Sequence, residues 1–123
     1  MKKFTKEQKR YRRHVRSRAR MNGTAKRPRL SVFRSLRGMY VQLINDENGS
    51  TLVSVNTKSD IDLKMDAGGR EGKVAVAYLL GRTLAEKAKE EKIETVVFDR
   101  GGNRFHGRVK ALSEGARDGG LNF

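Results

Sequence analysis

Three short runs of alternating apolar and polar residues constrain this chain more than anything else in it. They are Leu30-Ser31-Val32-Phe33-Arg34-Ser35, Met39-Tyr40-Val41-Gln42-Leu43-Ile44 and Thr51-Leu52-Val53-Ser54-Val55-Asn56-Thr57. A period of two sends successive side chains to opposite faces of a strand, and β-branched and aromatic residues fit that pleated surface. Two turn signals separate the runs, Leu36-Arg37-Gly38 and Glu47-Asn48-Gly49. The pattern predicts an antiparallel meander with Leu30, Val32, Val41, Leu43, Val53 and Val55 on one face. Ser31, Phe33, Ser35, Tyr40, Gln42, Ser54 and Asn56 fall mostly on the other, a polar face that carries two aromatic rings.

An oily sheet face needs a cover. After a polar connection at 58–69 (KSDIDLKMDAGG), Val74, Ala77, Tyr78, Leu84, Ala85 and Ala88 recur at helical spacing. Ile93 and residues 95–98 (TVVF) read as a short buried strand and residues 99–107 as a loop. Val109, Leu112 and Ala116 mark a final helix that Gly119-Gly120 stops. With a basic helix ahead of the meander the order is αβββαβα, an α+β fold whose mostly antiparallel sheet has helices packed on one face. At 123 residues the expectation is one folded domain, 29–123, preceded by a basic extension, 1–28.

Charge is divided very unevenly. Residues 1–37 hold 15 Lys and Arg against one acid, Glu7, while residues 38–123 hold 13 against 13, so the whole net charge of +14 lies in the first third. Charge that localised is an electrostatic footprint for a polyanion. From Thr5 to Arg20 there is no Gly or Pro, and Thr5 with Gln8 has the form of a capping box, so this segment reads as a helix. Its apolar stripe (Phe4, Tyr11, Val15, Ala19) is thin, and its cations repel at three- and four-residue spacing. Alone it should fray; an anionic partner would remove the repulsion and order it. Lys9, Arg10, Arg12, Arg13, Arg16, Arg18, Arg20 and Arg27 are therefore candidate nucleic-acid contacts, since Arg bridges phosphates and stacks on exposed bases. A solvated helix would interleave signs, and a membrane-surface helix would want a fuller apolar face.

The loop Asp99-Arg100-Gly101-Gly102-Asn103-Arg104-Phe105-His106-Gly107-Arg108 is a second signal. Gly101 and Gly102 let backbone amides approach a phosphate, a helix N-terminus favours an anion, and Arg100, Arg104 and Arg108 add charge. The alternative is a tight turn in which Asp99 caps backbone amides or pairs with an arginine. His106 fits either reading. The polar sheet face is equally open, because any sheet covered on one side leaves the other polar, and another register would put Phe33 in the core.

Enzymes are the main rival class. The absence of Cys excludes disulfides, thiolate metal sites and Cys nucleophiles. His14 and His106 are the only histidines, and no zincin motif, nucleophile elbow or Walker loop occurs. The strongest catalytic reading is a magnesium nuclease using Asp46, Asp99 and Glu86. Turn chemistry in Asp46-Glu47-Asn48-Gly49 accounts for Asp46, however, and Glu86 lies on a solvated EKAKEEK helix face. A nonspecific DNA-architectural protein is a third reading. No apolar run approaches the roughly 20 residues of a membrane span, so a cytoplasmic protein with no membrane contact is expected.

The segments RPRLSVFRS (27–35), MYVQLIND (39–46), TLVSVNT (51–57), VVFDRGG (96–102), HGRVKAL (106–112) and the closing GGLNF together resemble the bacterial large-subunit ribosomal protein eighteen family. The likeness covers essentially the whole chain, departing from it in the acidic 58–69 connection. It implies the same fold, no catalysis, no cofactor and no small-molecule substrate. The implied role is docking 5S ribosomal RNA onto 23S ribosomal RNA in the central protuberance, beside ribosomal protein five. The implied RNA contacts are the basic tail, Arg29, Ser31, Phe33, Arg34, Ser35, Tyr40, Gln42, and the loop residues Arg100, Gly101, Gly102, Arg104, His106 and Arg108.

Overall fold

A computed structural model of the chain describes residues 3–58, 61 and 66–123. Half of the polar connection expected at 58–69, residues 59, 60 and 62–65, lies outside the described residues. The first helix, α1 (Lys6–Arg18), begins where the capping box places it: the Gln8 amide donates to the Thr5 hydroxyl and the Thr5 amide to the Gln8 side chain. Strands β1 (Arg29–Arg34), β2 (Met39–Asn45) and β3 (Ser50–Asn56) form the expected meander. Helix α2 (Gly72–Glu90), strand β4 (Val97–Asp99) and helix α3 (Arg108–Asp118) complete the order αβββαβα.

The sheet order is β3-β2-β1-β4, with β4 returning parallel to β1 through α2. Two asparagines close the β2–β3 hairpin: Asn45 accepts from the Glu47 amide and Asn48 from the Ser50 amide, while Gly49 takes the positive φ (+71°) of the turn. The register matches the alternation, with Leu30 opposite Leu43, Val32 opposite Val41 and Val41 opposite Val55. All six residues expected on the oily face are buried, and α2 and α3 cover them with Leu80, Leu84 and Leu112. Each such side chain contributes about 1.5–3 kcal/mol when fully buried. The parallel β1–β4 pairing closes the sheet and carries Asp99 to the polar side, opposite Ser31.

Candidate nucleic-acid interface

The polar face starts from Arg29. Its partner on β4 is Val97, and two residues along each strand Ser31 faces Asp99. Arg29 is only 8% exposed. Its guanidinium donates to Asp46 (Nε to Oδ2, 3.0 Å) and to Asp99 (Nη1 to Oδ2, 2.8 Å). Burial works against the charge on Arg29, but the hydrogen bonds and charges of Asp46 and Asp99 outweigh it and raise its pKa. The Asp46 carboxyl is held below its ordinary value, chiefly by its hydrogen bond to Arg29 and with help from the Gly23 amide. Asp46 was expected to serve the turn that follows it. Instead Asn45 and Asn48 run that turn, and Asp46 reaches back to the start of the chain, accepting from Gly23 N (2.7 Å) and Arg18 Nη1 (3.5 Å).

Asp99 fulfils both of its turn roles, capping the Gly101 amide (2.9 Å) and pairing with Arg29. It also lies 3.3 Å from His14 Nε2 on α1. With Arg13 donating to the Gly102 carbonyl (3.1 Å), these contacts seat α1 on the polar side of β1 and β4. The helix runs antiparallel to β1, its first turns beside Arg34 and the β4–α3 loop and its last residue at Asp46. Gly102 has φ +76° and lies under the Arg10 carbonyl, so no larger residue fits there while α1 is seated.

Between α1 and the β4–α3 loop lies a groove of about 700 Å³. Lys6, Lys9, Arg10 and Arg13 form one wall, Arg104, His106 and Arg108 the other, and Arg34 closes the end. These are seven Lys and Arg against the single acid Glu7. Burial and then the nearby charge of Arg34 push the Arg108 pKa down, as expected where cations are crowded without a counter-charge. The α3 N-terminus, with Gly107 and Arg108 in the groove lining, has no side-chain cap.

A second concavity, about 660 Å³, lies at the other side of the polar face. Phe33 and Tyr40 sit directly opposite each other on β1 and β2, 63% and 37% exposed, so Phe33 is a surface residue and not core. The Gln42 side-chain Nε2 donates to the Tyr40 hydroxyl (3.0 Å). Ser35, Leu36, Arg37 and Lys58 rim the hollow.

The sequence candidates thus divide. Lys9, Arg10, Arg13, Arg34, Arg104, His106 and Arg108 come together in the groove; Phe33, Ser35 and Tyr40 in the hollow. Ser31 and Gln42, half-buried, pair between them. Arg12 lies outward, stacked on Phe4 at 4.2 Å, and Arg16 beside it on the outer side of α1 with Tyr11 and Val15. Arg18 pairs with Asp46, while Arg20, Arg27 and Arg100 are exposed away from both concavities. Gly101 caps and Gly102 abuts α1. Arg29 alone is buried among carboxylates. Lys6 of the basic tail and Asn103 of the loop also line the groove, while His14 gives no local sign in the sequence of its partner 85 positions away.

The catalytic alternative loses its geometry. Asp46 and Asp99 do converge, but around a guanidinium, and exposed Glu86 stands on α2, which covers the opposite face of the sheet. Among the described residues no three His, Cys, Asp or Glu side chains are grouped to hold a metal, and no helix is long and apolar enough to cross a membrane.

Fold and surface together define a class: a small α+β protein with a cationic groove between its first helix and the β4–α3 loop. The family model described as ribosomal L18 of archaea, bacteria, mitochondria and chloroplast matches residues 4–123. Curated relatives named large ribosomal subunit protein uL18 include those of Solibacter usitatus, 49% identical over 123 residues (100% of this chain, 99% of the relative), and Herpetosiphon aurantiacus, 49% over 124 residues (100% of each). That of Koribacter versatilis is 48% identical over 121 residues, 98% of each chain. The chain belongs to the ribosomal L18 family, a family of large-subunit ribosomal proteins and not of enzymes.

Proposed function

We propose that this protein binds 5S ribosomal RNA and attaches it to 23S ribosomal RNA in the central protuberance of the large subunit, beside ribosomal protein five, in the cytoplasm. The observation that carries the reading is the basic groove, where seven cations face one acid and Arg108 crowds Arg34. Such a groove gains from phosphates twice, by releasing their counterions and by relieving its own repulsion. Residues 1–28 act as an RNA-binding extension and 29–123 as the folded domain that places it. Arg10, Arg13, Arg34, Arg104 and Arg108 take backbone phosphates. Arg12, Arg16 and Arg20, on the outer and C-terminal parts of the extension, meet further RNA. Phe33 and Tyr40 offer ring faces to unpaired bases, and Ser31, Ser35 and Gln42 offer hydrogen bonds. Phosphate contacts set register and affinity, and the sheet face adds discrimination.

Binding of the purified protein to 5S ribosomal RNA across a salt series, with equal-length duplex DNA and an unrelated structured RNA as competitors, tests this. Binding that survives both competitors supports the proposal. Equal competition by all three polymers would reduce the protein to a nonspecific polyanion binder and remove the assignment of partner and site.

A further inference from the structure

We infer that Asp46 and Asp99, with Arg29 between them, are positioning residues that hold α1 where it forms one wall of the basic groove. The inference rests on the RNA-binding reading above and gives these three residues a part in it that involves no contact with RNA.

No residue of α1 is buried, so hydrophobic burial does not fix the helix to the body. Among the described residues three polar contacts hold it: Arg13 to the Gly102 carbonyl, His14 to Asp99 and Arg18 to Asp46. Two of the three end on the carboxylates that Arg29 aligns. The chain leaving α1 is tied to the same point, since Gly23 donates to the Asp46 carboxylate and accepts from the Asp46 amide (2.9 Å).

The electrostatic logic follows from counting. Two carboxylates against one guanidinium leave a net negative seat beneath His14 and Arg18. Around the groove nearly every other charge is positive, so α1 would otherwise be driven away from Arg34, Arg104 and Arg108. The acidic seat offsets that repulsion and keeps two like-charged walls side by side before RNA arrives. A wall already in place spares the RNA complex the cost of ordering it.

The test uses full-length Asp46→Asn and Asp99→Asn, with Asp46→Glu as the conservative control. Amide hydrogen exchange on the free protein should show residues 6–18 losing protection while Val41 and Leu43 keep theirs. Affinity for 5S ribosomal RNA should fall about tenfold, the scale of an ordering cost, with the salt slope unchanged because no groove cation is lost. Asp46→Glu should recover most of both effects. Gly102→Ala, whose methyl would meet the Arg10 carbonyl, should dislodge α1 by a separate route. Combined with Asp46→Asn it should bind no more weakly than the weaker single variant, because a helix is unseated only once. The inference is overturned if α1 amides stay protected in both Asn variants, if sheet amides lose protection with them, or if the two effects on RNA affinity simply add. The exchange readout needs no RNA, so a wild-type protein that fails to prefer 5S ribosomal RNA would count against the functional reading alone.

Discussion

Gly81 on α2 and Gly115 on α3 lie face to face, each so close to the other helix's backbone that neither has room for a β-carbon. A methyl on Gly81 would fall on the Leu112 carbonyl, and one on Gly115 on the Tyr78 carbonyl. The layer that covers the sheet depends on this approach, which also brings the Tyr78 hydroxyl to Asp118 (2.6 Å). Gly81→Ala or Gly115→Ala should each destabilise the fold by about 1–3 kcal/mol, as overpacking does. Denaturant midpoints check this, and RNA affinity of the folded protein should not change.

Lys92, just past α2, holds φ +59° in a helix-ending turn where the Ile93 amide donates to the Ala88 carbonyl and the Lys92 amide to that of Lys89. That conformation strains any residue with a β-carbon. Lys92→Gly should stabilise the protein by about 0.5–1 kcal/mol, net of the flexibility it adds to the unfolded chain. A lower melting temperature would show that the lysine side chain contributes something the turn does not reveal.

Asp46 binds its proton less readily in the folded chain than in the unfolded one, whose value is near 3.8. Its stabilising effect is therefore complete above that pH and is lost as pH falls through the lower folded value. The Gly23 amide resonance, hydrogen-bonded to this carboxylate, should titrate with a midpoint below 3.8. Asp46→Asn should abolish that titration and flatten stability in the same acid range.

Six phosphate contacts would give a log–log salt slope on the order of −4 to −5. Changing Arg10, Arg13, Arg34 and Arg108 together to Gln should make the measured slope shallower by roughly 3. A slope that stays put would mean the groove does not meet phosphate.

Phe33→Ala should behave differently. Loss of a stacking platform costs about 1–3 kcal/mol of RNA affinity per base, with no change in salt slope. Because the ring is 63% exposed, stability should move by no more than about 0.5 kcal/mol. Titrations at two salt concentrations separate this signature from that of the arginines.

The sheet's two faces were legible because alternation records them residue by residue, from Leu30 to Asn56. The capping box at Thr5 was equally local. The parallel return of β4 was not, since the pairing of Ser31 with Asp99 leaves no trace in the residues around either. The Arg29 cluster was hidden for the same reason: local rules gave Asp46 a sufficient role in its turn, and only the folded chain shows Asn45 and Asn48 performing it. Arg29 looked like one more cation of the tail until the strand that buries it was formed.

The seat of α1 has a consequence for the order of events during synthesis. The ribosome makes the helix first, yet Asp99 and Gly102, on which it rests, emerge about ninety residues later. Through most of translation the nascent chain therefore carries its densest positive segment untethered, ahead of the body that will aim it. On the proposed function, nucleic acid met in that interval finds an unrestrained arm, and specificity begins when the last third of the chain folds.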